Sequence, residues 1–380
     1  MTTQPAARPD RRAAHPGPLS GVRVLEIGGI GPGPFAAMML ADLGADVVRV
    51  DRPGEDLLDT HRVLLRGRRS VVLDLKTQAG RDAVLRLADR SDVLIEGFRP
   101  GVAERLGFGP DAVLARNPSL VYGRMTGWGQ DGPYAASAGH DITYLAVTGA
   151  LEAFAGPDGR PVPPLNLLGD FGGGGMLLAL GIVAALLPAR LTGRGQVVDA
   201  AIVDGVASMT AMHQAMRASG LWSGPRGGNL FDGGAPFYRC YRTSDDRFMA
   251  VGAIEPAFYA RLLEGLGLLD EGTGSQQDRA EWPRLSALFE RTFAQRSRAD
   301  WVEVFGGRDA CVAPVLSAAE ATEDPHLAAR GTYAAPSGPG APVEPAAAPR
   351  FSLTPSRAGA PAVEPGRHTD EVLGELGSGG

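Results

Sequence analysis

The sequence predicts an α/β protein: a parallel sheet with helices on both faces, followed by a smaller α+β domain. Three observations predict it. Short apolar runs rich in Val, Ile and Leu alternate with helix-like stretches from Gly21 to Gly127. The rhythm breaks after Gly127, and hairpin-like strands begin near Ser223. At 380 residues the chain is too long for one small domain and suits two.

The elements follow in order. Residues 1–17, MTTQPAARPDRRAAHPG, lack an apolar core and read as a disordered tail without a signal-peptide h-region. GVRVLEIGG (Gly21–Gly29) reads as a buried strand, PFAAMMLADLG as a helix, and ADVVRVD (Ala45–Asp51) as the second strand. SVVLDL, DVLIEGF and SLVYGRMTG continue the strands, with TQAGRDAVLRLADR as a helix between the first two. DGPYAASAGHD is a loop of small residues, with Asp141 as the expected N-cap of a helix starting at Ile142. The apolar run MLLALGIVAALL (Met176–Leu187) is too short to span a bilayer and reads as a buried helix. GQVVDAAIVDGVASMTAMHQAM has helical spacing, with Met209, Met212 and Met216 on one face as core or as an adaptable acyl pocket. Residues 18–205, completed by a returning segment 335–380, form the expected large domain. Residues 206–225 form a linker helix, and 226–330 the small domain.

Composition narrows the function. A net charge of -6 argues against a general nucleic-acid binder. Two distant cysteines, Cys240 and Cys311, offer neither a disulfide framework nor metal spacing and suit a reducing cytoplasm. Lys76 is the only lysine in an arginine-rich chain, which marks it for a specific role or for chance survival on a solvated surface.

The first loop, GGIGPGPF, resembles a dinucleotide loop, with Asp51 placed where a ribose-binding acid belongs. The third glycine is misplaced, however, and Pro32 and Pro34 remove amides that a pyrophosphate would use. Three residues carry acid–base chemistry: His140 in the small-residue loop, Asp170 ahead of a glycine run, and Glu255 before Pro256. Each also has a plain structural reading, as a packed histidine, a helix N-cap and a first-turn acid.

Five stretches change the weighting: GHDITYLAVTGAL, PLNLLGDFGGGG, GRGQVVDAAIVDG, RGGNLFDGGAPFYRCYRTSDDRFMAVGAIEPAFY and DACVAPVL. From about Pro18 to Leu376 the chain resembles the α-methylacyl-CoA racemases of the family III CoA-transferase (CaiB/BaiF) superfamily. The resemblance implies a Rossmann-like large domain, a small domain on long linkers, and an interlocked homodimer whose site joins one large domain to the partner's small domain. It implies His140 and Asp170 as the two catalytic bases and Glu255 as the acid supporting the histidine. It also implies that Ile30, Arg52, Leu73, Lys76, Arg99 and Arg105 hold coenzyme A, with the arginines suited to phosphate oxygens.

The implied reaction is epimerisation at C2 of a 2-methyl-branched acyl-CoA thioester. One base removes the α-proton, an enolate forms, and an acid on the opposite face returns a proton. The backbone amides of Asp170 and Gly172 are expected to hold the enolate oxygen. No metal and no cofactor beyond the substrate's own coenzyme A are expected, and no nucleic-acid or membrane partner. The alternatives are a CoA transferase with Asp170 as nucleophile, an NAD-dependent oxidoreductase using Asp51, and a non-catalytic acyl-CoA binder.

Overall fold

The computed structural model describes residues 17–55, 62–156, 159–269, 271–336 and 341–377. Except for Gly17, the expected N-terminal tail lies outside them. The described chain packs as two units. Of the described residues, one contains those within 17–148, 164–209 and 330–377; the other contains those within 149–163 and 210–329.

The first unit is built on six parallel strands: β1 (Arg23–Ile27), β2 (Asp46–Asp51), β3 (Arg68–Val72), β4 (Val93–Glu96), β5 (Val121–Thr126) and β6 (Val197–Ala201). Their order in the sheet is β3-β2-β1-β4-β5-β6. The chain runs outward from β1 in one direction, then returns to start β4 on its other side. That reversal leaves a crevice at the carboxyl ends of β1 and β4, where α/β sheets bind ligands. Strands β1 and β4 are almost wholly buried, as expected of central parallel strands covered on both faces.

The helices of this unit are α1 (Pro32–Asp42), α2 (Gln78–Asp89), α3 (Val102–Arg105), α4 (Pro110–Arg116), α5 (Asp141–Val147), α6 (Leu177–Thr192) and α7 (Ile202–Met209). Thr77 caps α2 by accepting the Gly80 amide. A C-terminal helix, Thr369–Gly377, returns beside β3, where Val372 is fully buried and Glu375 pairs with Arg23 and Arg69.

Two sequence readings are corrected here. Residues 197–201 are the sixth strand, not part of a helix. This strand sits at the sheet's edge and is buried only at Ala200 and Ala201, so it lacks the continuous apolar run of β1 or β4. The apolar helix is also longer than its sequence run. The glycine-rich segment Leu167–Met176 is π-helical and leads straight into α6, so residues 167–192 form 26 helical residues, enough by length and hydropathy to cross a membrane. This helix is instead a covering layer: Leu178, Ile182 and Leu186 are buried, and Gly123 on β5 leaves room for Leu178 and Ile182.

The second unit has its own core. An antiparallel sheet of β7 (Tyr238–Arg242), β8 (Phe248–Gly252) and β9 (Val312–Pro314) packs with helices that include α8 (Ala211–Ala218), α9 (Pro256–Leu266), α10 (Trp282–Phe293) and α11 (Arg298–Phe305). Phe237, Tyr241, Phe289, Phe293 and Trp301 form a buried aromatic cluster, with Tyr241 stacked on Phe293 at 4.9 Å. Residues 149–163, read from sequence as part of the large domain, belong to this unit. Arg226 grips them by donating to the Glu152 carbonyl and carboxylate and to the Gly159 carbonyl. The expected linker helix 206–225 is broken at Thr210. Met209 therefore ends one helix while Met212 and Met216 lie on the next, and the single three-methionine face does not form. Met216 is buried, but Met209 and Met212 are exposed.

Candidate active site

The crevice at the carboxyl ends of β1, β4 and β5 holds a cavity of about 500 Å³. The loop after β1 supplies Gly28 to Pro34, the loop after β4 supplies Gly97 to Pro100, and the loop after β5 supplies Gly127 and Trp128. His140, Tyr144, Asn166 and Asp170 complete the wall.

The floor of the crevice is held from behind by charge. Arg49 donates to Glu26 at 2.8 Å, to Asp51 at 2.6 Å and to the Gly29 carbonyl at 3.1 Å. Arg68 donates to Glu26 at 3.0 Å and to the Pro34 carbonyl. Burial works to raise the Glu26 carboxyl, but the guanidiniums of Arg68 and Arg49 override it and hold Glu26 below its ordinary value. The carbonyls of the first loop are thus pinned by two arginines buried under it. Asp51 is 2% exposed and accepts from Arg49 and Ser70. It does not line the cavity, so the ribose-acid role required for an NAD site is not available to it.

His140 and Asp170 reach the cavity from different elements. His140 is exposed and forms the N-cap of α5, with extended backbone at φ -136° and ψ 168°. Thr143 fixes this turn: the His140 N–H donates to the Thr143 hydroxyl at 3.0 Å, which in turn donates to the His140 carbonyl at 2.7 Å. The reading of His140 as a packed core residue is excluded by its exposure. Asp170 lies within the π-helical segment, half-buried, with Asn166 Nδ2 reaching its Oδ2 at 3.5 Å. Burial raises the Asp170 carboxyl and the Asp141 charge raises it further, against the opposing pull of Asn166 and His140.

Asp141 is not the N-cap expected of it. It is the first residue of α5, and its Oδ2 accepts the backbone N–H of Asp170 at 2.7 Å. This corrects the oxyanion expectation for Asp170, because the amide assigned to the enolate oxygen is engaged by a carboxylate. The π geometry bears on Gly172 as well: in such a turn each amide is drawn to the carbonyl five residues earlier, which is that of Leu167. Gly172 also leaves space beside Met209, whose Sδ lies 3.5 Å from where a Cβ would stand.

The coenzyme A set divides. Ile30, Arg52 and Arg99 line the cavity, and Ile30 is 70% exposed. Leu73 lines a separate hollow of about 440 Å³ with Thr77, Gly80 and the C-terminal helix residues Leu373 and Leu376. Lys76 is exposed on the turn after β3, and Arg105 is exposed at the end of α3. Neither lines the cavity. Glu255 belongs to the second unit, where it is the exposed N-cap of α9 ahead of Pro256.

Sequence reasoning missed Tyr144 and Trp128. Tyr144 is buried, packs edge-on against Trp128 at 4.7 Å, and faces the cavity beside Asp170. Burial and then the charge of Asp170 raise its hydroxyl's pKa. Helical periodicity could not have found Tyr144 from His140, whose extended backbone lies outside α5. Among the described residues no group of three or more His, Cys, Asp or Glu side chains could hold a metal ion.

Residues 19–369 match the family model described as CoA-transferase family III. The chain is 48% identical over 362 residues to the alpha-methylacyl-CoA racemase of Mus musculus, covering 94% of this chain and 93% of the relative. It is 46% identical to the alpha-methylacyl-CoA racemase of Homo sapiens, again over 94% of this chain and 93% of the relative. Among solved structures, a CAIB/BAIF family protein from Brucella suis aligns with a TM-score of 0.82 and 27% identity, covering 95% of this chain and all of that one. The crevice of a six-stranded parallel sheet, the acid–base groups gathered there and these similarities lead to one conclusion: the chain belongs to the CoA-transferase family III.

Proposed function

We propose that the protein racemises the α-carbon of 2-methyl-branched acyl-CoA thioesters by proton transfer through an enolate. The observation that carries this is the meeting of His140 and Asp170 in one cavity. They come from two elements, so the two groups can address opposite sides of a flat intermediate. An α-proton beside a thioester is weakly acidic, and inversion needs a base on one face and an acid on the other. The raised proton affinity of Asp170 suits it to both parts. The 46–48% identity to the mouse and human racemases supports this reading over the transferase chemistry named in the family's description.

In this reading Arg52 and Arg99, at the cavity's edge, bind the phosphates of coenzyme A, with Lys76 and Arg105 reaching from the surface and Ile30 and Leu73 giving apolar contacts. Glu255 orients His140, delivered by the partner in an interlocked homodimer. An exposed apolar row on one helix, Met176, Leu180, Leu187 and Leu191, supports assembly with a second copy. The protein acts in the cytoplasm without a metal or added cofactor.

The test is made in D₂O. Each enantiomer of a 2-methylacyl-CoA is incubated with the protein, and α-deuterium and stereochemistry are followed by NMR. Exchange with loss of stereochemical purity supports the proposal. Transfer of CoA to an added carboxylate without α-exchange overturns it and makes Asp170 a nucleophile.

A further inference from the structure

We propose that Asp141 is a positioning residue for the Asp170 base: its carboxylate, seated where only a glycine at 169 leaves room, holds the Asp170 backbone and sets a second negative charge beside the Asp170 side chain. The inference rests on the racemase reading above and concerns a residue to which that reading gives no role.

Three independent features support it. The Asp141 Oδ2 accepts the Asp170 N–H at 2.7 Å, across 29 residues of chain. A Cβ on Gly169 would stand 2.4 Å from that Oδ2, so any larger residue would push the carboxylate out. Asp141 is only 7% exposed, and its Oδ1 is buried without a hydrogen-bond partner among the described residues. A buried carboxylate oxygen left unpaired is costly and calls for an explanation. Simple N-capping does not provide one, because Asp141 is not the cap of its own helix.

The groups facing Asp170 can be named. From α5 and its cap come Asp141, His140 and Tyr144. From the first loop comes Gly31, whose Cβ position is 3.6 Å from the Asp170 Oδ2 and which brings no charge. On its own segment Asn166 approaches at 3.5 Å. Helix α7 packs on the π segment and carries Asp204, which is set against Asp199. Arg99 bears on Tyr144. Asp141 is therefore the one like charge placed against Asp170 by direct contact among the described residues. Like charges at close range favour the protonated form of one partner. The consequence is a stronger base in the direction where Asp170 takes the α-proton, and an acid still holding its proton nearer neutrality in the other.

The test uses the whole protein with ¹³C in its aspartate carboxyl groups, titrated by NMR. The Asp170 signal is identified by its loss in Asp170→Asn. In Asp141→Asn the side-chain oxygen still accepts the Asp170 amide but the charge is gone. The Asp170 midpoint should then fall, because the neighbouring negative charge no longer favours its protonated form. The acid limb of the exchange rate should move down with it, with KM little changed. Gly169→Ala keeps both carboxylates but fills the seat, should lower the same midpoint, and serves if Asp141→Asn does not fold. An Asp170 midpoint that stays in place or rises in these variants overturns the proposal. Failure of the racemase reading is distinguishable, because wild-type protein would then show no α-exchange whatever the midpoint does.

Discussion

The ring of Tyr144 lies across Gly127 so closely that a Cβ on that glycine would be 2.1 Å from the ring's Cζ. Gly139 approaches the same ring from its own loop, at 2.5 Å from Cε1. Two glycines therefore set the position of an aromatic wall between the loop after β5 and the turn that presents His140. Gly127→Ala and Gly139→Ala should each displace the ring and destabilise the fold by about 1–3 kcal/mol, the usual range for overpacking. Urea unfolding measures the loss. Wild-type stability in both variants would show that the ring has space to move.

The two bases should separate by stereochemistry. With His140→Ala or Asp170→Ala, racemisation should fall by roughly 10²–10⁴-fold. The base left behind can still remove and return hydrogen on its own face. Each variant should then exchange deuterium into one enantiomer with retention, and the two variants should choose opposite enantiomers. NMR of the recovered thioesters distinguishes this pattern from loss of both exchanges in either variant.

Glu96 should give the fold a pH dependence. It is 1% exposed, and burial drives its carboxyl up to about 7, against the opposing Phe98 amide and Arg124 guanidinium. Its folded pKa lies above the unfolded value of 4.5, so the folded state binds the extra proton between those values. Stability from this group is complete below about 4.5 and is lost as the pH rises through 7. In Glu96→Gln the urea midpoint should vary less across that window than in wild type. An identical slope would remove Glu96 as the cause.

Arg66 ties the C-terminal segment to the end of α1. It donates to both oxygens of Asp42, at 3.1 and 2.6 Å, and to Glu344 and the Pro345 carbonyl, while itself 1% exposed. Arg66→Ala leaves Asp42 buried without its countercharge and should cost about 3–5 kcal/mol. Replacing Arg66 and Asp42 together with apolar residues of similar size should cost less than the single change. Denaturant midpoints of the three proteins test both statements.

By itself the sequence determined the parallel sheet and its first five strands, and it marked the candidate acid–base residues. Central parallel strands are buried on both faces, so the Val-, Leu- and Ile-rich runs of β1, β2 and β4 announce themselves locally, and GHD and GDFGGGG stand out by type and setting. The tertiary structure alone decided what those residues touch. The edge strand β6 carries too little buried surface to be told from a helix. Asp51 has the position of a ribose acid, yet Arg49 and Ser70 hold it inside the protein. Asp141 has the position of an N-cap, yet its carboxylate spans 29 residues to the Asp170 amide. Hydropathy period and turn chemistry act over a few residues. Charge pairing, burial and the space left by a missing Cβ depend on segments brought together only when the sheet closes around its crevice.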